Sequence, residues 1–356
     1  MKVLVTGHRG YLGTVLVPML LEAGHDVSGY DLDYYGQCTY SHGGLYRAIP
    51  TIQKDIRDAE PLDFEGFEAV VHLAGLPEAS DDDLLYEVNH RACVRVALAA
   101  RQAGVQRFLM ASSCAVYGQL AEAGGGEEDA LAPQTTFGVS RVMAERDVGA
   151  LAGENFSPTY LRLAEPCGLS PRLRLDLCFN RTVAETVTRI RHAADGGSLV
   201  ERPFVHVQDA ARVTVAMLAG ERRQFHDHAF NIGSTANFIR GTHLRELAAA
   251  LAPDPAPHVV NNAADASQPV RRLSFEKLAH TLPSAIPQWN AQRCVEQLLD
   301  AFDASALSPE DVLGPRYDRA AELQQLVAAG TLDPQLRRSQ GLAGASNVSE
   351  GMRGWR

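Results

Sequence analysis

The sequence predicts an α/β protein in which helices cover both faces of a doubly wound parallel sheet. Short, almost wholly apolar runs such as residues 2–6 and 69–75 are typical of strands buried on both faces. Longer stretches with helical spacing lie between them, and strand–helix alternation is the pattern of parallel sheets. The chain has 356 residues, of which 46% are hydrophobic, so it can form a large core.

The elements of the first half follow this alternation in order. Strands are predicted at 2–6, 26–31, 69–75, 107–113 and 158–164. Helices are predicted at 11–24, 82–103 and 137–151. Gly24 and Gly104 stand where the first two helices should end, as expected of C-terminal capping glycines.

The second half is less regular and predicts a smaller, mixed α/β region. Strands are predicted at 202–207 and 228–233, a loop at 252–270, and helices at 176–191, 208–218, 242–251, 291–303 and 316–329. We therefore expect three parts. Residues 1–165 should bind a dinucleotide, 166–338 should bind substrate while interleaving with the first part, and 339–356 should form a flexible tail.

Charge and cysteine content exclude several classes of function. A formal net charge of −10 argues against nucleic acid as the main partner. The six cysteines are scattered, which predicts free thiols in a reducing cytoplasm rather than disulfides or a metal site. No apolar run is long enough for a membrane span, and the N-terminus lacks the pattern of a signal peptide.

The stretch "TGHRGYLG" places Gly7, Gly10 and Gly13 between the first strand and the first helix. This spacing lets a pyrophosphate approach the backbone at the helix N-terminus, the arrangement of a Rossmann-type site. Asp31 ends the second strand, where its carboxylate would accept both adenosine ribose hydroxyls and repel a 2′-phosphate. Arg9 would favour that phosphate, but Asp31 should lie closer, so NAD is expected rather than NADP. The alternative is a structural turn without a ligand.

Six stretches together carry a family resemblance: "TGHRGYLG", "KDIRD", "HLAG", "VNHRACVRVALAA", which contains Asn89, "SSCAVYG" and "RPFVHVQDAAR". They resemble motifs of the extended short-chain dehydrogenase/reductase family, the NAD-dependent sugar epimerases and dehydratases that include UDP-galactose 4-epimerase. The resemblance covers roughly residues 1–300. It implies a sugar nucleotide or related polar metabolite as substrate.

The resemblance also implies cofactor contacts. Asp55 would accept a hydrogen bond from the adenine amine, Ile56 would pack on the ring, and the backbone of "HLAG" would line the cofactor. The implied cofactor-binding residues are Gly7, Arg9, Gly10, Tyr11, Leu12, Gly13, Asp31, Asp55, Ile56, Leu73, Ala74, Gly75, Asn89 and Arg141.

Substrate contacts follow in the same way. Ser113 would hydrogen-bond the reacting sugar oxygen, with Cys114 beside it, and Arg202 would contact a nucleotide phosphate. Glu165 stands where the family has an asparagine that faces the substrate phosphate. Because a carboxylate would repel that phosphate, we expect arginines around it, and Arg172 and Arg174 are close in sequence.

The stretch "TTFGVSR" departs from the family at its catalytic pair. Phe137 and Arg141 stand where the resemblance places Tyr and Lys, in a register fixed by Gly138 and Ser140. Arg141 can still donate to a ribose hydroxyl. Phe137 cannot carry a proton, and losing a positioned acid or base typically costs about 10²–10⁴ in rate.

Few residues can replace the missing tyrosine. Glu165 is the main candidate, since burial can raise a carboxyl pKa into the working range. Ser113 is a poor base alone, Tyr117 usually packs, and the thiols of Cys114 and Cys167 are more typical of buried fillers. Glu165 is itself open to a structural interpretation as a paired carboxylate.

Three functions remain open. The first is an NAD-dependent enzyme of this family with an altered proton relay. The second is a lyase, cyclase or isomerase in which NAD is structural, and the third is an inactive NAD-binding subunit. A homodimer formed through the helices at 82–103 and 137–151 is expected from the resemblance, with apolar surface contributed by Val94, Val96, Leu98, Val142 and Met143.

Overall fold

The computed structural model describes residues 1–40, 46–118, 125–190, 201–252 and 273–338. The strands are β1 Lys2–Thr6, β2 Asp26–Tyr30, β3 Thr51–Ile52, β4 Ala69–His72, β5 Arg107–Ser113, β6 Ser157–Leu163, β7 Glu165–Cys167, β8 Glu201–His206, β9 His228–Ile232 and β10 Phe238–Arg240. The helices are α1 Gly13–Glu22, α2 Asp82–Leu85, α3 Cys93–Gln102, α4 Thr136–Gly149, α5 Cys178–Thr188, α6 Val207–Ala219, α7 Arg222–Phe225, α8 Gly241–Leu251, α9 Glu276–Thr281, α10 Ala291–Ala304, α11 Pro309–Leu313 and α12 Arg319–Ala328.

Within the described residues, seven strands form one parallel sheet in the order β3-β2-β1-β4-β5-β6-β9. The predicted doubly wound, Rossmann-type fold is therefore confirmed. The chain runs outward from β1 to β3 and then returns to β4 on the other side of β1. In such sheets ligands bind beyond the carboxyl ends of the strands at this reversal.

Alternation along β1 explains why the sheet is covered on both faces. Val3 and Val5 pack in one core cluster with helices α1 and α6. Leu4 points the opposite way, as the period of two in a strand requires, and packs in a second cluster with α3 and α4. All three side chains are fully buried, which is the reason for the apolar run in the sequence.

The second half contributes a small mixed sheet in the order β10-β8-β7, where β7 runs parallel and β10 antiparallel to β8. A third core cluster packs around it, with Leu173, Phe179, Phe204 and Leu298 among its buried members. Strand β9 instead joins the large sheet beside β6. The two halves of the chain are thus interleaved, and a division at residue 165 stays a prediction.

The stretch predicted as one helix at 82–103 is three segments. A π-helical segment, Tyr86–Ala92, separates α2 from α3. Asn89 lies in this segment, fully buried, and such bulges are often found at functional sites. The predicted loop at 252–270 lies, from residue 253 onward, outside the described residues, as does the predicted tail at 339–356.

Only some of the apolar residues expected to form a homodimer interface are exposed to solvent. Val96 is fully buried in the monomer core, whereas the Leu98 side chain is 41% exposed. Val94 and Val142 pack, partly buried, against the core clusters. Dimerisation stays a prediction, and Leu98 is its best-placed apolar contact. No helix in the described ranges is both long and apolar enough to cross a membrane.

Candidate active site

The glycine turn between β1 and α1 is packed too closely for side chains. Gly7 has φ of +70°, and a Cβ atom there would lie 2.7 Å from the backbone nitrogen of Ala74. A Cβ atom on Gly13 would lie 2.4 Å from the carbonyl oxygen of Gly7. Both positions therefore require glycine, and the turn leaves the N-terminus of α1 accessible to an anion.

Asp31 is held at the end of β2 by backbone donors. Its carboxylate accepts hydrogen bonds from the backbone N–H groups of Arg9, at 2.9 Å, and Asp33, at 2.7 Å. Burial raises the pKa of this carboxyl, while the two N–H donors oppose the rise. His8 Nδ1 lies 3.8 Å from Asp31 Oδ2. Burial lowers the pKa of His8 to about 4, so its ring is neutral at physiological pH.

Two arginines converge on Asp33 rather than on an open phosphate position. Arg9 Nη1 lies 3.2 Å from one Asp33 oxygen, and Arg172 Nη2 lies 2.9 Å from the other. A 2′-phosphate would have to compete with Asp33 for both guanidinium groups and approach Asp31 as well. This charge balance favours the unphosphorylated ribose of NAD.

A cavity extends from the glycine turn along the carboxyl ends of β2 and β4. Many of the predicted cofactor residues line it, namely Gly7, Arg9, Gly10, Asp31, Asp55, Ile56, Leu73, Ala74 and Gly75. Tyr34 and Leu336 also line it, and sequence analysis did not single out either as a cofactor residue. Among the predicted residues, Tyr11, Leu12, Gly13, Asn89 and Arg141 are not part of its lining.

Tyr11 joins the glycine turn to the second half of the chain. Its side chain is buried, and its hydroxyl donates to the carbonyl oxygen of Gly168 at 2.6 Å. Ser170 Oγ donates in turn to the carbonyl oxygen of Tyr11 at 2.7 Å. The Tyr11 side chain therefore fixes the loop after β7 against the cofactor turn.

Asn89 positions the backbone that follows β4. Its Oδ1 accepts from the Leu76 N–H at 2.7 Å, and its Nδ2 donates to the Leu76 carbonyl at 3.1 Å. This two-way bond holds the "HLAG" segment against the π-helical segment. The structure gives Asn89 a positioning role, and direct contact with the cofactor stays a prediction.

Asp55 has a close partner in its neighbour Arg57. The backbone N–H of Arg57 donates to Asp55 Oδ1 at 2.8 Å, and its Nη2 donates to Oδ2 at 2.6 Å. Ile56 lies between them and is buried. Asp55 therefore lines the cavity as a paired carboxylate, and its predicted bond to the adenine amine is not tested by this geometry.

Arg141 is a buried cation without an acidic partner among the described side chains. It is 7% exposed, its Nη1 donates to the Ala111 carbonyl at 3.3 Å, and its Nε has no hydrogen-bond partner. A Cβ atom on Gly75 would lie 2.7 Å from its Nη2. The guanidinium therefore lies directly behind Gly75, a residue of the cavity wall, and its contact with a cofactor hydroxyl stays a prediction.

Phe137 lies one helical turn before Arg141 on α4. The guanidinium carbon of Arg141 is 5.1 Å from the centre of the Phe137 ring, within the range of a cation–π contact. The N-terminus of α4 is capped by Thr135, whose Oγ1 accepts from the Gly138 N–H. Phe137 is thus a fixed apolar surface at this end of the helix.

Ser113 and Glu165 lie at the same edge of the sheet. Ser113 is in register with Leu163 at the ends of β5 and β6, and Glu165 follows two residues later. Ser113 Oγ accepts from the Ala115 N–H at 3.1 Å. Because the carboxyl ends of parallel strands meet at one edge, both residues border the predicted substrate region.

Glu165 lies at the N-terminus of α5 and opposite Arg202. The backbone N–H groups of Cys178 and Phe179 favour its ionised form, and its Oε2 lies 3.9 Å from Arg202 Nη1. Burial raises the pKa of Glu165, and Arg202 and the two N–H donors oppose the rise. Arg202 itself is 58% exposed, so it remains accessible to an anionic ligand.

The arginines expected around Glu165 have other partners. Arg172 donates to the carbonyl oxygens of Tyr35 and Gly36 as well as to Asp33. Arg174 forms an ion pair with Asp176. Both arginines therefore hold loops in place, since the carbonyl and carboxylate oxygens of these loops require hydrogen-bond donors. Arg202 takes the place beside Glu165 that sequence analysis gave to these two.

The other candidates for proton transfer are buried and engaged. Burial raises the pKa of the Cys114 thiol, whose Sγ donates to the Arg162 carbonyl. Burial also raises the pKa of Tyr117 to about 12, and its hydroxyl donates to Asn231 Oδ1 at 2.7 Å. The pKa of Cys167 is raised by burial and by neighbouring Cys294. Glu165 and Ser113 remain of the set, and Ser113 is a poor base alone.

A buried network behind Ser113 was not anticipated from the sequence. Arg162 pairs with Glu145 at 2.7 Å, Glu145 accepts from Ser112 Oγ at 2.5 Å, and Arg162 Nη1 donates to the Tyr117 hydroxyl at 2.8 Å. These residues fix the end of β5 against α4. The described residues contain no cluster of histidine, cysteine, aspartate and glutamate suited to a metal ion.

A comparison with known families now identifies the chain. The model of the NAD dependent epimerase/dehydratase family matches residues 3–233. The chain belongs to this family. An uncharacterised UDP-glucose epimerase of Bacillus subtilis is 26% identical to it, over 61% of this chain and 72% of that protein. UDP-glucose 4-epimerase 4 of Oryza sativa subsp. japonica is 30% identical, over 69% of this chain and 74% of that protein.

Solved structures share the fold. MoeE5 in complex with UDP-glucose and NAD superposes with a TM-score of 0.70 at 25% identity, covering 86% of this chain and 100% of that one. UDP-glucuronic acid 4-epimerase from Bacillus cereus, in complex with UDP-glucuronic acid and NAD, gives a TM-score of 0.69 at 20% identity, covering 85% and 99%. NAD is accordingly the cofactor of the family member described here.

The residues of this chain fit that cofactor. The glycine turn has no room for side chains, Asp31 and the paired arginines suit an unphosphorylated ribose, and the buried Arg141 lies behind Gly75, which lines the cavity. A pyrophosphate can approach the glycine turn, and ribose hydroxyls can donate to Asp31.

Proposed function

We propose that this chain is a redox-active epimerase or dehydratase that acts on a sugar nucleotide through a non-standard proton relay. Phe137 and Arg141 occupy the positions of the family's tyrosine and lysine in this proposal. Glu165 then carries the proton that the tyrosine would carry. The observation that supports it is Glu165, a partly buried carboxyl with a raised pKa, placed beside the exposed Arg202.

Each residue has a distinct task in the reaction. Bound NAD supplies the hydride acceptor. Arg141 donates to the nicotinamide ribose and keeps a positive charge close to the ring. Ser113 hydrogen-bonds the sugar oxygen, and Phe137 excludes water from the same place. Glu165 removes the proton of the reacting hydroxyl as hydride leaves the carbon, and returns it in the reverse step.

The raised pKa of Glu165 suits this task. A carboxyl with an ordinary pKa is too weak a base to remove a hydroxyl proton efficiently near neutral pH. Burial at the start of β7 raises the pKa of Glu165, while Arg202 opposes the rise. Its protonated form can then donate in the reverse direction, as an epimerisation requires.

A sugar nucleotide is the substrate class best supported. Relatives of this chain are named UDP-glucose 4-epimerases, and structural neighbours are complexes with UDP-glucose or UDP-glucuronic acid. Arg202 is exposed opposite Glu165 and can pair with a nucleotide phosphate.

The experiment is to compare Glu165→Gln with the NAD-loaded wild-type protein on a panel of UDP- and dTDP-sugars. Glutamine preserves the shape and one acceptor oxygen of the side chain but transfers no proton at neutral pH. We expect kcat to fall by about 10²–10⁴ with little change in sugar-nucleotide binding. The matched control is Glu128→Gln, because Glu128 is an exposed surface carboxylate paired with Lys277. Equal turnover in all three proteins refutes the role of Glu165.

A second candidate is a non-redox lyase, cyclase or isomerase in which NAD is structural. It is favoured by Phe137, which places an apolar ring where redox members of the family are expected to have a proton carrier. Turnover that survives replacement of NAD by a redox-inactive analogue would support this candidate. An inactive subunit predicts a third result, in which only the Phe137→Tyr, Arg141→Lys double variant turns over a sugar nucleotide.

A further inference from the structure

The C-terminal strap, residues 331–338, lies against the cofactor cavity. Leu336 is 5% exposed and lines the cavity together with Asp31 and Ile56. The strap lies outside residues 3–233, which match the family model. Its position over the cavity is therefore a feature that the family comparison does not assign.

Hydrogen bonds to side chains of the cavity wall hold the strap. Arg57 donates to the carbonyl oxygens of Gln335, at 2.6 Å, and Leu336, at 3.1 Å. Tyr34 donates to the Leu336 carbonyl at 2.5 Å. Both Arg57 and Tyr34 line the cavity themselves, so the strap is attached to the pocket wall and not to a remote surface.

Charged side chains of the strap also contact the segments that line the cavity. Arg337 forms an ion pair with Asp58, and its Nη1 also lies 3.6 Å from Asp55 Oδ2. Arg338 donates to the Leu32 carbonyl at 2.8 Å. These attachments fall on residues 32–34 and 55–58, the two segments that border the adenosine half of the cavity.

The strap is a tight turn whose shape presents Leu336. The Leu336 N–H donates to the Asp333 carbonyl, and the Asp333 N–H donates to the Arg337 carbonyl, each at 2.8 Å. Leu336 has φ of +55°, a conformation that leucine rarely adopts. Such a conformation persists only where the surrounding contacts fix it, and it is common at ligand clamps.

We propose that the C-terminal strap is a cofactor-retention element and that Leu336 is part of the adenine-binding surface. NAD binds with its adenine between the wall at Ile56 and the strap at Leu336. The cofactor leaves only when the contacts of Arg57, Tyr34 and Arg337 with the strap and pocket break. Arg57 links both parts, since it pairs with Asp55 and holds the strap carbonyls.

This proposal depends on NAD binding alone and not on the proposed reaction. A retained cofactor suits a reaction in which the same NAD takes and returns a hydride, but the strap would slow NAD release in a non-redox protein as well. Binding measurements can therefore reject either idea without the other.

The first test measures release of radiolabelled NAD into excess unlabelled NAD. Three proteins are compared: the full chain, a truncation that ends at Arg338 and a truncation that ends at Gly330. We expect the strapless protein to release NAD about ten- to a hundredfold faster, since a buried leucine side chain and its anchors are lost. The truncation at Arg338 should match the full chain to within about twofold.

The Leu336→Ala variant keeps the hydrogen bonds to the strap backbone, and it replaces the truncation at Gly330 if that shorter chain is unstable. It should release NAD about three- to tenfold faster, because alanine leaves the adenine surface partly uncovered. The matched control is Leu313→Ala, which removes an exposed leucine of the same C-terminal region and should leave release unchanged.

Linkage provides a readout on the unaltered protein. If the closed strap tightens NAD binding, NAD must stabilise the closed strap by the same coupling free energy. Hydrogen exchange at the Leu336 N–H should therefore slow on NAD binding. Unchanged release in both the truncation and Leu336→Ala would overturn the proposal. Tighter NAD binding in either variant would overturn it too, because the strap would then compete with adenine.

Discussion

Replacing Arg141 with methionine should stabilise the cofactor-free protein while weakening NAD binding. Arg141 is a buried guanidinium without an acidic partner among the described side chains, and burial lowers its pKa. Methionine has a similar length and can keep the contact with the Phe137 ring. The substitution therefore removes a charge from the interior without leaving a large cavity.

The magnitude follows from the contacts that Arg141 makes. Desolvating an ion in a protein interior costs several kcal/mol. One long hydrogen bond to Ala111 and a cation–π contact with Phe137 recover roughly 2–3 kcal/mol. We expect a net gain of about 2 kcal/mol in the free energy of unfolding of the Arg141→Met protein. For 356 residues this raises Tm by about 3 °C.

Calorimetry and urea unfolding of cofactor-stripped protein provide the assay, and NAD titration provides the second readout. If Arg141 donates to the ribose as proposed, the affinity for NAD should fall about tenfold with the loss of this charged donor. The matched control is Arg162→Met. Arg162 is as buried but pairs with Glu145, so its loss should destabilise the fold by about 3–5 kcal/mol. If Arg141→Met also destabilises the protein and leaves NAD binding intact, Arg141 is structural and the reasoning is wrong.

Two further predictions concern the turn and the histidines. Gly7→Ala should lower NAD affinity by about 100-fold or more in a binding titration, because its Cβ would lie 2.7 Å from the Ala74 nitrogen at φ of +70°; an unchanged affinity would contradict the close packing of the turn. Burial lowers the pKa of His8 and His206 to about 4 and that of His72 to about 3. At pH values below the unfolded-state histidine pKa of about 6.5, the unfolded chain binds more protons than the folded chain. The contribution of these histidines to the free energy of unfolding is therefore complete above about pH 6.5 and falls as the pH drops toward 4. The urea midpoint measured against pH checks this, and a flat profile over that range would count against neutral buried histidines.

Much of the fold could be predicted because local signals and packing agree. Val3, Leu4 and Val5 are apolar since β1 is buried on both faces, and the same reason makes β4 recognisable. The short strands β7 and β10 have only three residues each, too few for a period of two to appear. They exist because they pair with β8, which is a contact between distant parts of the chain.

The site could be predicted where it depends on the backbone. Gly7 and Asp31 follow from the tight turn and the end of β2, and both line the cavity. Partners of long side chains could not be predicted in the same way. Arg172 and Arg174 are near Glu165 in sequence, yet they pair with Asp33 and Asp176, while Arg202 lies opposite Glu165.

The contribution of Leu336 to the cavity had no local signal at all. Its side chain reaches the adenosine pocket through a contact with residues about 280–300 positions earlier, such as Arg57 and Tyr34. Sequence spacing contains no information on such a contact. Only the folded chain brings the strap and the two cavity segments together.

The most direct test of the proposed relay is a single-turnover measurement on NAD-loaded protein mixed with its sugar nucleotide. The absorbance of reduced nicotinamide reports hydride transfer, and it is followed in wild-type protein, Glu165→Gln and Glu128→Gln. We expect a transient signal in wild type and Glu128→Gln whose rate rises with pH as Glu165 ionises, and a rate lower by about 10²–10⁴ in Glu165→Gln. A Glu165→Gln protein with the wild-type rate and pH profile would contradict the account.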